Sequence, residues 1–165
     1  MLKAPQRITH FQRLVESADS VAHLMRMASV LGRRLGPFLF QLPPNFKKDL
    51  SRLRDFLPLL PTAARVAFEF RHVSWFDDAV FEALRERNIA LCIADTGKEG
   101  DAPFVATADW GYLRLRAVEY AEGDLELWAE RVRTQTWNDA FVFFKHEEGA
   151  TGPKLAKAFI EMCGA

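Results

Sequence analysis

The sequence predicts an α/β fold in which parallel strands alternate with helices. Five short apolar runs each end in polar or charged residues, and a helix-like stretch follows each of them. Strands that are apolar on both faces and joined by helices are typical of a parallel sheet covered on both sides. Ligand sites in such folds lie at the carboxyl ends of the strands, which is where the charges of this chain are found. The runs occupy residues 38–41, 68–72, 92–95, 113–116 and 143–147.

The first half of the chain supplies three helices and three strands. Apolar residues at three- and four-residue steps after Thr9 predict a helix that Thr9 caps and that stops at Gly36. A second helix with similar spacing is expected over 50–60, interrupted near Pro58. Asp77 or Asp78 is suited to cap the third helix. The strands are predicted at 38–42, 65–70 and 89–94.

The second half begins with a loop over 96–104, which holds two glycines and a proline. Residues 105–107 are read as a short strand or a turn, and 112–116 as a strand. A helix is expected from Asp124 to about Gln135, followed by the last strand at 140–144. Gly152-Pro153 is expected to open the terminal helix, because proline suits the first helical position.

The composition predicts one domain and narrows the classes of function. A chain of 165 residues that is 49% hydrophobic has enough apolar residues for a core. Its 22 basic and 22 acidic residues balance, so a general attraction to nucleic acid or to anionic membranes is not predicted. Two cysteines make a disulfide framework or a zinc site improbable. No leader sequence and no membrane-spanning run is recognised, so a cytoplasmic location is expected.

The number of repeats predicts an incomplete TIM-barrel-like fold. About five βα units are too few to close an eight-stranded barrel, which typically takes about 250 residues. Residues 1–5 have the pattern of the end of a strand. A complete, open, doubly wound domain is the alternative fold.

Several motifs resemble the DUF72 (YecE-like) family along nearly the whole chain. They occupy residues 3–10, 39–44, 69–76, 112–116 and 144–147. The resemblance implies a TIM-barrel-type fold, a single domain over 1–165, and no established biochemical role. It also implies that about three N-terminal strands of the barrel are missing and that this chain is a C-terminal portion. Family members often have a His-Gly pair after the arginine-bearing strand, where this chain has Arg116 and Ala117.

Glu69 and Arg71 alternate with phenylalanines and therefore share one face of a strand. In a barrel this face is the interior near the mouth. The functional interpretation makes Glu69 a general base or a metal ligand and Arg71 an anion clamp, with burial shifting the pKa of Glu69 in the direction useful for proton transfer. The structural alternative is an internal Glu–Arg ion pair.

Arg114 and Arg116 also share one face, two residues apart. Such a pair suits bidentate recognition of phosphate or carboxylate, and Arg71 and Lys145 at neighbouring strand ends add positive charge. The alternative is a lattice in which these arginines pair with Glu69 and other carboxylates.

Other strand-end residues complete the predicted site. Asp95 and His146 are candidate acid–base groups beside Glu69, although an Asx turn is the favoured interpretation of Asp95. Gln41 is expected to orient a polar ligand or to begin a stiff turn. His72, Trp75 and Tyr120 are candidate ligand contacts, the two aromatic residues as a wall for a sugar or base, with simple packing as their alternative. No cofactor and no metal ligand is assigned, although a divalent metal held by histidines and carboxylates stays an option.

The predicted function is binding of a small anionic ligand, with hydrolase, lyase or isomerase chemistry compatible with the residues. One alternative is a divalent-metal-dependent phosphoesterase acting on nucleic acid. The other is a non-catalytic fragment that associates with a partner or with itself through an open sheet edge.

Overall fold

In the part of the chain that the structure describes, six parallel strands form one sheet, and their spatial order is their order along the chain. The structure is a computed structural model, and it describes residues 1–97, 100–145 and 150–164. This order confirms the prediction of an α/β, TIM-barrel-like βα repeat, with one more strand than the five apolar runs indicated. The strands are β1 (Leu2–Lys3), β2 (Phe38–Gln41), β3 (Val66–Glu69), β4 (Ala90–Asp95), β5 (Trp110–Leu115) and β6 (Asp139–Phe144).

Within the described residues, five α-helices and four shorter helical turns accompany the strands, and the last helix follows the last strand. The α-helices are α1 (Ala18–Ala28), α2 (Leu50–Phe56), α3 (Asp78–Arg85), α4 (Glu122–Arg133) and α5 (Thr151–Cys163). A π-helix covers Arg7–Phe11, and 3-10 turns cover Ser29–Arg34, Leu57–Leu59 and Val73–Trp75. Among the described helices, none is both long enough and apolar enough to cross a membrane.

The sheet is curled like part of a barrel, and its concave face has its own core. Small side chains such as Ala67, Ala90 and Cys92 pack there with the large rings of Trp110 and Tyr112. Contacts across the concave face join strands that are not neighbours. Tyr112 of β5 donates a hydrogen bond to the sulfur of Met1 before β1, and Arg65 before β3 forms an ion pair with Asp139 of β6.

The convex face packs against the helices in two clusters. The larger cluster centres on stacked and edge-on rings of β2, β3 and α2, including Phe40, Phe56 and Phe68. The second joins β5 and β6 to α4 and α5 and includes Leu113 and Phe159. Burial on both faces explains why the strands are continuously apolar in the sequence.

The prediction of one long helix capped by Thr9 is wrong. Thr9 lies inside the π-helix, where its hydroxyl is 3.4 Å from the carbonyl oxygen of Pro5. Arg13, Leu14 and Glu16 then adopt positive φ angles, which an α-helix cannot contain. The helix therefore begins again at Ala18.

Other local predictions are confirmed or shifted by a few residues. Asp77 caps α3 by accepting a hydrogen bond from the backbone N–H of Ala79 at 3.0 Å, and α2 changes into a 3-10 turn at Leu57, beside Pro58. The helix expected from Asp124 begins at Glu122, because the Asp124 carboxylate accepts from the N–H of Ala121 and caps the first turn. Residues 105–107 contain no strand.

The two ends of the sheet differ in length. β1 has two residues, whereas β6 has six. Within the described residues, β6 pairs only with β5, so one side of β6 forms an edge of the sheet.

Candidate functional site

The carboxyl ends of alternating strands bring charged side chains together on the concave face. Gln41 and Glu69 are direct partners in the register of β2 and β3, and Arg114 is the partner of Ala94 on β4. Each of these three charged or polar residues follows a member of the concave core by two positions. Because residues two apart on a strand share a face, all three side chains lie on the concave face. The curl of the sheet then brings Glu69 of β3 to Arg114 of β5.

Glu69 is the centre of the site. Its side chain is 1% exposed, and it forms ion pairs with three arginines. Arg114 makes the shortest of these contacts, through Nη1 to Oε2. Arg71 donates from Nε to Oε1 at 3.3 Å, and Arg116 donates from Nη2 to the same oxygen at 3.4 Å. The side chains of Arg114 and Arg116 are 16% exposed and that of Arg71 is 36% exposed, so the arginines separate Glu69 from solvent.

The surroundings of Glu69 lower its pKa. Burial alone would raise the pKa, but the charge of Arg114, a hydrogen bond from the Gln41 side chain and the charge of Arg116 together outweigh it. A shift useful to a general base was expected from burial, and this expectation is wrong because three guanidinium groups stabilise the charged form. Glu69 is therefore a firmly ionised counter-ion at neutral pH and a weak proton acceptor.

Gln41 connects this ion cluster to a lysine that the sequence interpretation did not assign to the site. Lys3 Nζ donates to Gln41 Oε1 at 2.8 Å, while the Gln41 amide also bonds to Glu69. The pKa of Lys3 is lowered by partial burial and then by the charge of Arg114, against an opposing effect of Glu69. The sequence feature that could have identified Lys3 is its place at the end of a strand, because Gln41 and Glu69 also end their strands.

Lys145 and Arg116 extend the positive charge of the site. Lys145 follows β6, is exposed, and is one of the cations that lower the pKa of Lys3. Nε of Arg116 is buried and has no hydrogen-bond partner among the described residues. A buried donor without a partner is unusual in folded proteins, so this atom marks a place where an acceptor fits.

Asp95 and Tyr120 lie apart from the arginine cluster. Ala94 occupies the concave face beside Arg114, so Asp95 points to the opposite face. Its Oδ2 accepts from the Tyr120 hydroxyl at 2.6 Å, and its Oδ1 accepts from the N–H of Gly97 at 3.0 Å. The expectation that Asp95 works beside Glu69 therefore conflicts with the geometry, which fits the Asx-turn alternative.

His72 and Trp75 make contacts within the protein that stabilise the fold. His72 Nδ1 accepts from the N–H of Ser74 at 3.1 Å and caps the 3-10 turn. Trp75 is fully buried, stacks on Phe70 at 4.8 Å and donates from Nε1 to the carbonyl oxygen of Phe46 at 2.6 Å. These contacts agree with the packing alternative for Trp75, because no face of its ring is exposed to a ligand.

His146, predicted as an acid–base group, lies outside the described residues, as does Glu147. In the part of the chain that the structure describes, no three His, Cys, Asp or Glu side chains are grouped closely enough to hold a metal ion. Around Glu69, the described residues offer several cations and one carboxylate, a set that suits an anion better than a metal.

A groove of about 580 Å³ lies elsewhere, along β6 and α5. Its lining includes Phe141, Phe143 and Phe159. It is separate from the Glu69 cluster and follows the edge of β6 that has no strand partner within the described residues.

Fold and site together define a TIM-barrel-like protein with a cationic cluster at the carboxyl ends of its strands. The model of the family described as "Protein of unknown function DUF72" matches residues 1–165, and the chain belongs to this family. No curated protein matches.

Solved structures of DUF72 proteins have the same fold. A DUF72 family protein from Thermotoga maritima superposes with a TM-score of 0.86 at 24% identity, covering 99% of this chain and 72% of that one. Two crystal structures of a DUF72 family protein from Enterococcus faecalis give TM-scores of 0.77 and 0.69 at 14% and 16% identity. They cover 92% and 95% of this chain and 67% and 70% of theirs.

Proposed function

We propose that this protein binds a small anionic ligand, carrying phosphate or carboxylate, on the concave face at the carboxyl ends of its strands. The observation that carries the proposal is the charge imbalance around Glu69. Four cations, Lys3, Arg71, Arg114 and Arg116, are joined directly or through Gln41 to this single carboxylate. Among the described residues, three positive charges are therefore left over, a surplus that an anion neutralises.

The contact distances divide the arginines into two roles. Arg114 makes the shortest contact with Glu69, so it acts mainly as a fixed support. Arg71 and Arg116 make long contacts with Glu69, and Nε of Arg116 has no partner among the described residues. These two guanidinium groups are therefore the ones able to turn toward a ligand, and their planar forks suit a phosphate or a carboxylate.

Hydrolase, lyase and isomerase chemistry stay predictions at this site. We do not propose Glu69 as the proton carrier for any of these reactions, because its carboxylate is firmly ionised. The YecE-like subtype and the cytoplasmic location also stay predictions from the sequence.

The first experiment measures inorganic phosphate binding by calorimetry and by thermal shift. Arg116→Gln is expected to weaken binding by about tenfold or more, because a hydrogen bond to a charged group contributes about 1.5–3 kcal/mol. Arg54→Gln is the matched control, since Arg54 is exposed on α2. Equal affinity in the wild type and both variants, or no binding to the wild type, would contradict the proposal.

A second candidate function is self-association through the edge of β6. One side of this six-residue strand has no strand partner within the described residues, and it adjoins the partly apolar groove described above. An edge strand of this length is a template for another strand, and a second copy supplies an identical edge about a two-fold axis. Ala140→Lys is expected to abolish dimers in native mass spectrometry, whereas Val118→Lys, at an exposed position away from β6, is expected to keep them. Monomeric wild-type protein would rule out this candidate.

No described residue cluster favours the metal-dependent phosphoesterase alternative. It stays a prediction, which elemental analysis of the purified protein tests.

A further inference from the structure

The segment from Arg26 to Arg34 exposes apolar side chains next to arginines, at the end of the sheet opposite to the Glu69 cluster. It comprises the last turn of α1 and the 3-10 turn Ser29–Arg34, which lead to the amino end of β2. The Glu69 cluster lies at the carboxyl ends of the parallel strands. The segment is therefore a surface separate from the proposed anion site.

The apolar side chains of this segment face solvent. Val30 is 84% exposed, Met27 58% and Leu31 44%. Their spacing of three and four residues places them on one face, because the backbone stays helical through Ala28 and Ser29. Ala28 is buried and packs into the core on the other side. The exposed face is thus turned away from the core.

The turn that follows this face projects from the molecule. Gly32 has a φ angle of 49°, and a Cβ atom placed on it would have no neighbouring atom within 4 Å. The end of the turn is therefore not packed against the rest of the described chain. Val30 and Leu31 are free to enter another medium without displacing any part of the fold.

Arginines flank the apolar face, and the surrounding sequence has no acidic residue. Arg26, Arg33 and Arg34 are exposed, and neither Asp nor Glu occurs between Asp19 and Asp49. Among the described residues, none of these three arginines forms an ion pair. The balanced charge of the whole chain thus hides a local positive surplus beside an exposed apolar face.

We propose that the segment 26–34 is a peripheral docking surface for a membrane that contains anionic lipids. Apolar side chains that enter the boundary between head groups and acyl chains, together with basic residues at anionic head groups, hold amphipathic surfaces on a bilayer. A protein partner fits this face less well, because the face has no aromatic residue of the kind that dominates the binding energy of protein interfaces. Docking through this segment leaves the carboxyl ends of the strands open to solvent.

Sedimentation with vesicles of phosphatidylcholine, with and without phosphatidylglycerol, tests the proposal. The wild-type chain is expected to bind only the anionic vesicles and to be released as salt rises from about 0.1 M to 1 M, because the Debye length falls from about 10 Å to 3 Å. Arg33→Gln/Arg34→Gln is expected to weaken binding roughly 25-fold, at about 1 kcal/mol for each arginine. Equal binding to both kinds of vesicle, or no binding by the wild type, would overturn the proposal.

A second double variant tests the apolar contribution. Val30→Ser/Leu31→Ser is expected to weaken vesicle binding at least tenfold and to leave the fold intact, because both side chains face solvent. Leu127→Ser is its matched control, since Leu127 is 58% exposed on α4, and Arg54→Gln on α2 is the control for the arginines. Equal losses in the controls and in the double variants would contradict a defined docking surface.

Two further measurements separate this surface from the anion site and from self-association. Arg116→Gln is expected to keep vesicle binding, whereas Arg33→Gln/Arg34→Gln is expected to keep inorganic phosphate binding. Loss of vesicle binding in Arg116→Gln alone would place the lipid head group in the anion site and overturn the proposal. A dimer in native mass spectrometry that Val30→Ser/Leu31→Ser dissociates, without vesicle binding by the wild type, would assign the face to a second copy and also overturn it.

Discussion

Replacing Glu69 with glutamine removes a buried carboxylate that forms ion pairs with three arginines. The glutamine side chain has the same shape, so the change leaves Arg71, Arg114 and Arg116 facing one another without their counter-ion. Breaking a buried ion pair by removing one partner costs about 3–5 kcal/mol. The arginines keep 16% to 36% exposure, so the lower end, about 3 kcal/mol, is the expected loss in the free energy of unfolding. In a domain of this size, that corresponds to a fall in Tm of roughly 6–12 °C.

Urea unfolding and thermal scans measure this loss, with Glu82→Gln as the control. Glu82 also pairs with an arginine, but its side chain is 62% exposed, so a change below about 1 kcal/mol is expected there. Phosphate is expected to raise the Tm of Glu69→Gln more than that of the wild type, because it replaces the missing negative charge. A cost at Glu69 no larger than at Glu82 would refute the view that this carboxylate holds the cluster together.

The remaining predictions concern pH and the core. Because the pKa of Glu69 is lower in the folded chain than its ordinary value of 4.5, its contribution to stability is complete above that value and is lost as the pH falls below it. The urea midpoint of Glu69→Gln is therefore expected to depend less on pH in this acid range than that of the wild type, and parallel curves would contradict the assignment. Trp75→Phe leaves the carbonyl of Phe46 without its buried donor. The free energy of unfolding, measured with urea, is expected to fall by about 2 kcal/mol. An unchanged free energy of unfolding would mean that Trp75 has another role.

The main strands and the shared faces of two charged pairs followed from the sequence. Continuous apolar runs marked the buried parallel strands, and alternation placed Glu69 with Arg71 and Arg114 with Arg116 on common faces. Those pairs do share the concave face, because a period of two is a local property of a strand. The same rule, applied to Ala94 and Asp95, places Asp95 on the other face.

The sequence could not predict the contacts that depend on the curl of the sheet. Lys3 is 38 residues from Gln41, and Glu69 is 45 residues from Arg114, and no local pattern shows that they meet. The direction of the Glu69 pKa shift also needed the structure, since burial and neighbouring cations act in opposite directions. The break in the first helix was hidden because Arg13 and Leu14 carry no glycine signal for their positive φ angles.

The most direct test of the cationic site is a phosphate titration followed by NMR of the arginine Nε–H groups. Arg116 Nε is a buried donor without a partner among the described residues, so its signal is expected to shift and saturate with phosphate, together with that of Arg71. The signal of Arg54, exposed on α2, is expected to stay unchanged. Small, unsaturated shifts of equal size at all three arginines would show that phosphate binds the chain without a defined site, and would contradict the proposed function.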